Sequence, residues 1–295
     1  MIHGDGDLQV WAVSSGGRVL RLSAAPRFAA SWPRLAPHVP GAASGELALL
    51  TAGTPVDLVL ENGASPGDAR RLINAHLHRL HLGHDTLCVH AVVLRRPDED
   101  GTVVLLGGHG AGKTLVAIAL AEHDWRPVAG DVALLDVHPA PAVHGGTSAF
   151  MARSSAVARW FPRLRLDLPD ADRIDLRSRW SGVPGPAGGR VLAAVLVGVD
   201  GDPSAQADLH TEDVHTAATA WLRASTHLLD RILESSPTVL RLVEDAAAAR
   251  RRIALVRALA ARLPLHAARG TPQHIASCIE ELSCAVSGPV KGAAW

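Results

Sequence analysis

The sequence predicts an α/β fold, and three observations carry that prediction. An apolar strand, Thr102-Val-Val-Leu-Leu106, runs directly into Gly107-Gly-His-Gly-Ala-Gly-Lys-Thr114. Behind this loop, Leu115, Ile118, Ala119 and Leu120 recur at helical spacing. A second buried strand, Arg190-Val-Leu-Ala-Ala-Val-Leu-Val-Gly-Val199, follows at a distance, and helical patterns fill the C-terminal third. Strands that alternate with helices in this way pack as helical layers around a sheet.

The loop has the Gly-x-x-x-x-Gly-Lys-Thr spacing of a phosphate-binding loop. A chain with 27 glycines meets the bare pattern by chance, but a strand before it and a helix after it are the context the chemistry needs. Across Gly107, Gly108, His109, Gly110, Ala111 and Gly112, backbone N–H groups can crowd around phosphate oxygens. Lys113 can reach the β- and γ-phosphates, and the Thr114 hydroxyl can coordinate Mg²⁺. The expected ligand is a nucleoside triphosphate with Mg²⁺, and His109 is expected to face outward from the loop.

Taken in order, residues 1–67 read as a small strand-rich N-terminal region. Short apolar segments at Leu8–Val13, Val19–Leu22, Leu47–Leu50 and Val56–Leu60 are broken by Gly and Pro clusters such as Pro37–Gly45. Residues 68–295 read as the domain that carries the loop. It opens with a helix over about Asp68–Gly83, whose apolar stripe is Leu72, Ile73, Leu77 and Leu80. His76, His78, His81 and His84 cluster there, without a cysteine and with only Asp85 as a neighbouring acid, so they read as a His-rich helix surface rather than a metal site. Thr86–Leu94 reads as one strand, joined through the turn Arg95–Gly101 to the strand that enters the loop.

After the loop helix, Trp125–Asp136 forms two apolar segments with one acid inside and one at the end. A Mg²⁺-nucleotide needs a carboxylate near its phosphates, which makes Asp131 and Asp136 the candidates. The offset of five residues points them to opposite faces of a regular strand. Pro141–Pro169 is rich in arginine (153, 159, 163 and 165), and Asp175–Gly189 has the Gly and Pro content of a loop; the arginines read as a solvated surface or, as the alternative, as the place where an acidic acceptor or leader peptide is recognised. The last third reads as helices near 211–232, 237–262 and 271–286, with Leu263–Arg269 as a closing strand.

Composition narrows the function classes. Lys plus Arg and Asp plus Glu number 29 each, so no overall field favours nucleic acid or an anionic membrane. No apolar run approaches the roughly 20 residues of a membrane span, and the N-terminal stretch lacks a basic segment followed by an apolar one. A cytoplasmic location is expected. Cys88, Cys278 and Cys284 form no metal-binding pair and read as buried apolar residues.

The order of these features resembles the HPr kinase/phosphorylase-like P-loop kinases. Within that family it is similar to the shorter enzymes encoded with peptide-modifying pathways, including those that phosphorylate lasso-peptide precursors. The similar pieces span Leu72 to Leu282: Leu87-Cys-Val-His-Ala-Val-Val93, the loop itself, Arg126-Pro-Val-Ala-Gly-Asp-Val-Ala-Leu134, Val143-His-Gly-Gly146, Val191–Val199 and Ala260–Arg269. A histidine-bearing strand before the loop and an aspartate 18 residues after its lysine restrict the match far more than the loop does.

The resemblance implies a fold related to phosphoenolpyruvate carboxykinase and ATP-dependent transfer of the γ-phosphoryl group to a hydroxyl. The acceptor would be a Ser or Thr of a peptide or protein in a peptide-modifying pathway; a small-molecule alcohol is the alternative, as is a nucleotide-binding subunit without turnover. It also implies Lys113, Asp131 and His90 as catalytic residues, Thr114 and Asp131 as metal ligands, and assembly as a homo-oligomer. Two features depart from the family pattern. Gly130 stands where a second aspartate usually precedes Asp131, and no glutamate occurs between Glu122 and Glu212.

Overall fold

The computed structural model describes residues 8–42, 47–96, 101–164, 172–177 and 189–287. Seven α-helices and three sheets lie among them, in a mixed α/β arrangement. The N-terminal strands β1 (Gln9–Ser15), β2 (Arg18–Ala24), β3 (Leu47–Leu49) and β4 (Leu58–Val59) form a sheet of their own in the order β3-β1-β2-β4. Val13, Leu20 and Leu22 point from it onto Phe28, Trp32 and Leu35 of helix α1 (Arg27–Leu35) and onto Ala69, Ile73 and Leu77 of helix α2 (Pro66–Leu82). Helix α1 was not expected and carries Pro33 inside it; the spacing of its three buried residues places them on one face.

Helix α2 begins two residues before the expected Asp68. Ser65 caps it by accepting a hydrogen bond from the Asp68 N–H at 3.0 Å, and Pro66 occupies the first turn. The expected His-rich surface is corrected for two of its four members, because His78 and His81 are buried. Packing against both the N-terminal sheet and the C-terminal helices covers more of α2 than one apolar stripe. The Ser15 hydroxyl spends its single proton on the Pro40 carbonyl at 2.6 Å, so His81 Nε2 must donate to Ser15 Oγ across 2.8 Å. Burial lowers the His81 pKa to about 4 and keeps the ring neutral.

The central sheet contains β5 (Thr86–His90), β6 (Val92–Arg95), β7 (Gly101–Leu106), β8 (Arg126–Ala129), β9 (Val132–Asp136) and β10 (Ala142–Gly146). Beyond a small pair, β11 (Met151–Arg153) and β12 (Arg173–Asp175), it continues with β13 (Gly189–Val199), β14 (Asp208–Thr211) and β15 (Leu265–Gly270). The path is β5-β9-β10-β13-β7-β6-β8, with β15 on the second half of β13 and β14 beyond it. Only the β13 pairings with β7 and β15 are parallel in this sheet. The strand expected over Thr86–Leu94 is broken at Ala91, where the backbone N–H leaves the ladder and donates to the Asp131 carbonyl at 3.0 Å. Its first half pairs with β9 and its second with β7 and β8.

Alternate residues of the central strands face opposite helical layers. Val103, Leu105, Val195 and Val197 pack against helix α3 (Lys113–Ala121), against Val157 of α4 (Ser154–Trp160) and against the C-terminal helix. Val104, Leu106 and Ala194 pack on Trp221 of α5 (Val214–Thr226) and on Leu255 and Leu259 of α6 (Ala246–Arg262). This two-residue alternation buries both faces of the sheet. The helix expected over 211–232 is shorter because Asp213 caps its start through the His215 and Thr216 N–H groups. The helix expected over 237–262 likewise starts late: Asp245 caps it through the Ala247 and Ala248 N–H groups, after a 3₁₀ turn at Leu240–Val243.

The last helix, α7 (Pro272–Ser287), corrects the reading of the cysteines. Cys88 is buried, and burial pushes its thiol up to about 12, but Cys278 is half-buried and Cys284 is exposed on the outer face of α7. Among the described residues, no helix is long and apolar enough to cross a membrane.

A buried ion pair ties α2 to α6. Arg252 donates to Glu244 from Nε at 2.8 Å and from Nη2 at 2.9 Å, and His78 Nε2 lies 3.4 Å from the same carboxylate. Burial opposes ionisation of Glu244, but the hydrogen bonds from Arg252 and His78 outweigh it and hold the pKa at about 2, against 4.5 in an exposed glutamate. A depressed carboxylate stabilises the fold fully above the unfolded pKa and loses that contribution as pH falls through the folded one. Glu244→Gln is expected to cost about 3 kcal/mol at pH 7, because it strands the Arg252 charge in the interior. It should also flatten the stability profile between roughly pH 4.5 and 2, which urea unfolding across that window would measure.

Candidate functional site

The carboxyl end of β7, the start of α3, the break between β5 and β6 and the turn from β8 to β9 open on one cavity of about 650 Å³. Gly107 leads from β7 into the glycine-rich loop, and Gly108 to Thr114 line the wall. Gly112 sits at the N-cap of α3 with φ +93°, and a Cβ there would lie 2.2 Å from Val199 Cγ2, so both conformation and packing require glycine. The loop is anchored to β13 by the Val199 N–H, which donates to the Ala111 carbonyl at 2.9 Å.

Lys113 folds back over the loop and is buried, with Nζ donating to the carbonyls of Gly107 at 2.8 Å and Gly108 at 3.2 Å. Burial pulls its pKa down to about 8, opposed by the charge of Asp131. Thr114 is at the start of α3, its hydroxyl donating to the Met151 carbonyl at 3.4 Å. His109 is exposed, as expected, and Nε2 accepts from Arg153 Nη2 at 3.4 Å.

Asp131 faces this loop from the turn between β8 and β9. His90 Nε2 donates to its carboxylate at 3.3 Å; the His90 side chain is 10% exposed and that of Asp131 56%, the latter projecting into the cavity. Burial within the body of the protein raises the pKa of Asp131. The hydrogen bond and charge of His90, with the charge of Lys113, more than offset this and hold the carboxyl well below the usual range. The turn is fixed by Thr147, whose buried hydroxyl accepts from the Asp131 N–H at 2.9 Å and the Val132 N–H at 3.0 Å.

Gly130 has a physical reason. A Cβ at this position would lie 2.0 Å from the Ala149 carbonyl oxygen and 2.8 Å from the Phe150 ring, so the chain closes over the place where a second aspartate would stand. The other acid weighed from the sequence, Asp136, is corrected as a site residue. It lies at the far end of β9, where it accepts from Thr86 Oγ1 at 2.5 Å and sits 3.3 Å from His144 Nε2, outside the cavity.

Several cavity residues gave no signal in the sequence. His227, just after α5, stacks on His90 with ring centroids 3.7 Å apart. Its Nε2 accepts from Arg231 Nη2 at 2.8 Å, and burial, with the charges of His90 and Arg231, pulls its pKa down to about 3, so the ring is neutral. His90, Asp131 and His227 present ligand atoms within 4.8 Å of one another, the one such group among the described residues. Arg70, Arg71 and Asn74 of α2, and His38 after α1, complete the far wall. Of the arginines at 153–165, weighed as surface or as acceptor contacts, Arg153 lines the cavity; Arg159 instead bonds the Gly201 carbonyl and lies over the Trp160 ring, and Arg165 falls outside the described residues, as does most of Asp175–Gly189.

The arrangement offers a backbone cradle with a buried lysine across it, and an ionised, histidine-supported carboxylate opposite. Five arginines line the same cavity against that single acid. Such a site can bind a polyanion and hold a polar group against it. No protein-family model matches the chain, and no curated protein is significantly similar to it.

Proposed function

We propose that the protein is a kinase that uses ATP and Mg²⁺ to phosphorylate a hydroxyl group, on a Ser or Thr of a peptide or protein or on a small-molecule alcohol. The observation that carries this reading is the convergence on one cavity of the Gly107–Thr114 loop with Lys113, and of Asp131 with its hydrogen bond from His90. The resemblance of the sequence to HPr-kinase-like enzymes supports the same reaction and favours a peptide acceptor.

In this reaction the acceptor oxygen attacks the γ-phosphorus. The bond from that phosphorus to the bridging oxygen breaks, and ADP leaves with the electron pair. The hydroxyl proton passes to Asp131. Because His90 and Lys113 keep Asp131 ionised, it is ready to accept this proton at neutral pH, though it is a weak base. A loose phosphoryl-transfer transition state tolerates a weak base, since positioning and charge neutralisation supply most of the rate. Lys113 contributes that neutralisation, and Thr147 holds the turn from which Asp131 projects. Bound Mg²⁺ would neutralise further phosphate charge, with Thr114 and Asp131 as its oxygen ligands.

A nucleotide-binding subunit without turnover is the rival suggested by the missing second aspartate. The Ala149 carbonyl fills that place, so a single carboxylate belongs to this fold rather than marking a decayed site. The test is ADP release with Mg²⁺-ATP and a panel of hydroxylated peptides and metabolites. A kinase releases ADP only when an acceptor is present and is silenced by Lys113→Ala; equal ADP release without any acceptor would overturn the reading.

A further inference from the structure

The charges lining the cavity do not balance, and the imbalance is local. Lys113, Arg153 and Arg173 cluster on the side of the glycine-rich loop, where all three act on His109. Arg70 and Arg71 line the same cavity from α2. Arg71 is neutralised there by Asp68 at 3.3 Å and Glu234 at 2.9 Å. Arg70 has no such pair: it is half-buried, and among the described residues no carboxylate lies within ion-pair distance of it, the charges of Asp131 and Glu234 acting on it only from farther away. A guanidinium held in a cavity wall without a directly paired carboxylate is poised to take one from a ligand.

A second observation is independent of charge. Asn74 stands one helical turn after Arg70, on the same face of α2. It is 7% exposed. Its Nδ2 donates to the His38 carbonyl at 3.0 Å, which fixes the amide so that Oδ1 is the other arm, and Oδ1 has no hydrogen-bond donor. A buried amide oxygen left unmatched costs stability, so a donor from a bound molecule is the natural complement. Both residues line the cavity that holds Asp131, and Arg70 is close enough to Asp131 to feel its charge.

We propose that Arg70 and Asn74 form an acceptor subsite, and that the acceptor alcohol carries an anionic group, a carboxylate or phosphomonoester, together with an N–H or O–H donor. The anion pairs with Arg70 and the donor bonds Asn74 Oδ1, which leaves the reacting hydroxyl between Asp131 and the glycine-rich loop. This rests on the kinase reading and narrows its acceptor. It also moves acceptor recognition from the arginine-rich segment after residue 150 to α2.

The test uses wild-type protein loaded with Mg²⁺ and a non-hydrolysable ATP analogue, so that the loop is occupied. Calorimetry compares matched probes: N-acetylserine with N-acetylserinamide, and glycerol 3-phosphate with glycerol. The first pair reports a carboxylate and the second a phosphate. At least one anionic probe should bind tenfold or more tightly than its neutral partner. In Arg70→Met that ratio should fall to near one, with affinity for the ATP analogue within threefold of wild type. Equal binding of charged and neutral probes, absence of binding by both anions, or a preference that survives Arg70→Met would each overturn the subsite. Failure of the analogue itself to bind wild-type protein is read in the loading titration and would overturn the nucleotide reading instead.

Discussion

Asp131→Asn lowers acceptor-dependent phosphoryl transfer by about 10²–10⁴-fold, the range expected for loss of a positioned acid–base group, and leaves the fold in place. The substitution keeps size and shape. Asn Oδ1 can still accept from His90, and the turn remains held through the backbone N–H groups that bond Thr147. The side chain projects into the cavity at 56% exposure, so no buried neighbour loses a partner. What disappears is the negative charge that, in the proposed reaction, takes the hydroxyl proton and helps to hold the metal. The thermal midpoint should therefore stay within a few degrees of wild type while turnover collapses. Steady-state kinetics beside a melting curve would show both, and unchanged turnover would remove Asp131 from the chemistry.

The second large effect is on stability and runs against intuition from the family pattern. Gly130→Asp recreates the paired aspartates of HPr-kinase-like enzymes, yet it should damage this protein rather than improve it. The new Cβ would meet the Ala149 carbonyl oxygen at 2.0 Å, and that oxygen belongs to rigid backbone. The backbone on both sides is committed, since the Gly130 N–H donates to the Thr147 carbonyl at 2.9 Å and the Ala149 N–H to the Pro37 carbonyl at 2.9 Å. Relief requires the turn to shift, so the cost should reach about 3 kcal/mol or more, at the upper end for overpacked interiors. Denaturant unfolding of Gly130→Asp and Gly130→Ala together separates the causes. Similar losses in both would assign the effect to the Cβ, whereas a loss confined to the aspartate would assign it to charge.

What could be read from the sequence was what lies close together in the chain. The strand, glycine-rich loop and helix from Thr102 to Leu120 are one continuous string with its own periodicity. Asp131 was reached because a single acid interrupts its apolar segment, and His90 only through the resemblance to HPr-kinase-like enzymes. His227, Arg70 and Asn74 carry no such mark. His227 follows an ordinary amphipathic helix, and only the packing of α5 on β5 brings its ring onto His90. Arg70 and Asn74 lie outside the apolar stripe read on α2, and nothing local shows that a second layer covers that side. The same cause hid the burial of His78 and His81. Helix limits failed where a capping aspartate, Asp213 or Asp245, fixed a start inside a longer helical pattern.

The central claim is that this cavity binds the phosphates of ATP through Lys113, and titration of Mg²⁺-ATP into wild-type protein and Lys113→Ala by calorimetry tests it most directly. Wild type should bind, and Lys113→Ala should bind about 100-fold more weakly or more, the loss expected when a preorganised donor to a phosphate-like oxyanion is removed. Absence of ATP binding by folded wild-type protein, or equal affinity in the two proteins, would contradict the account.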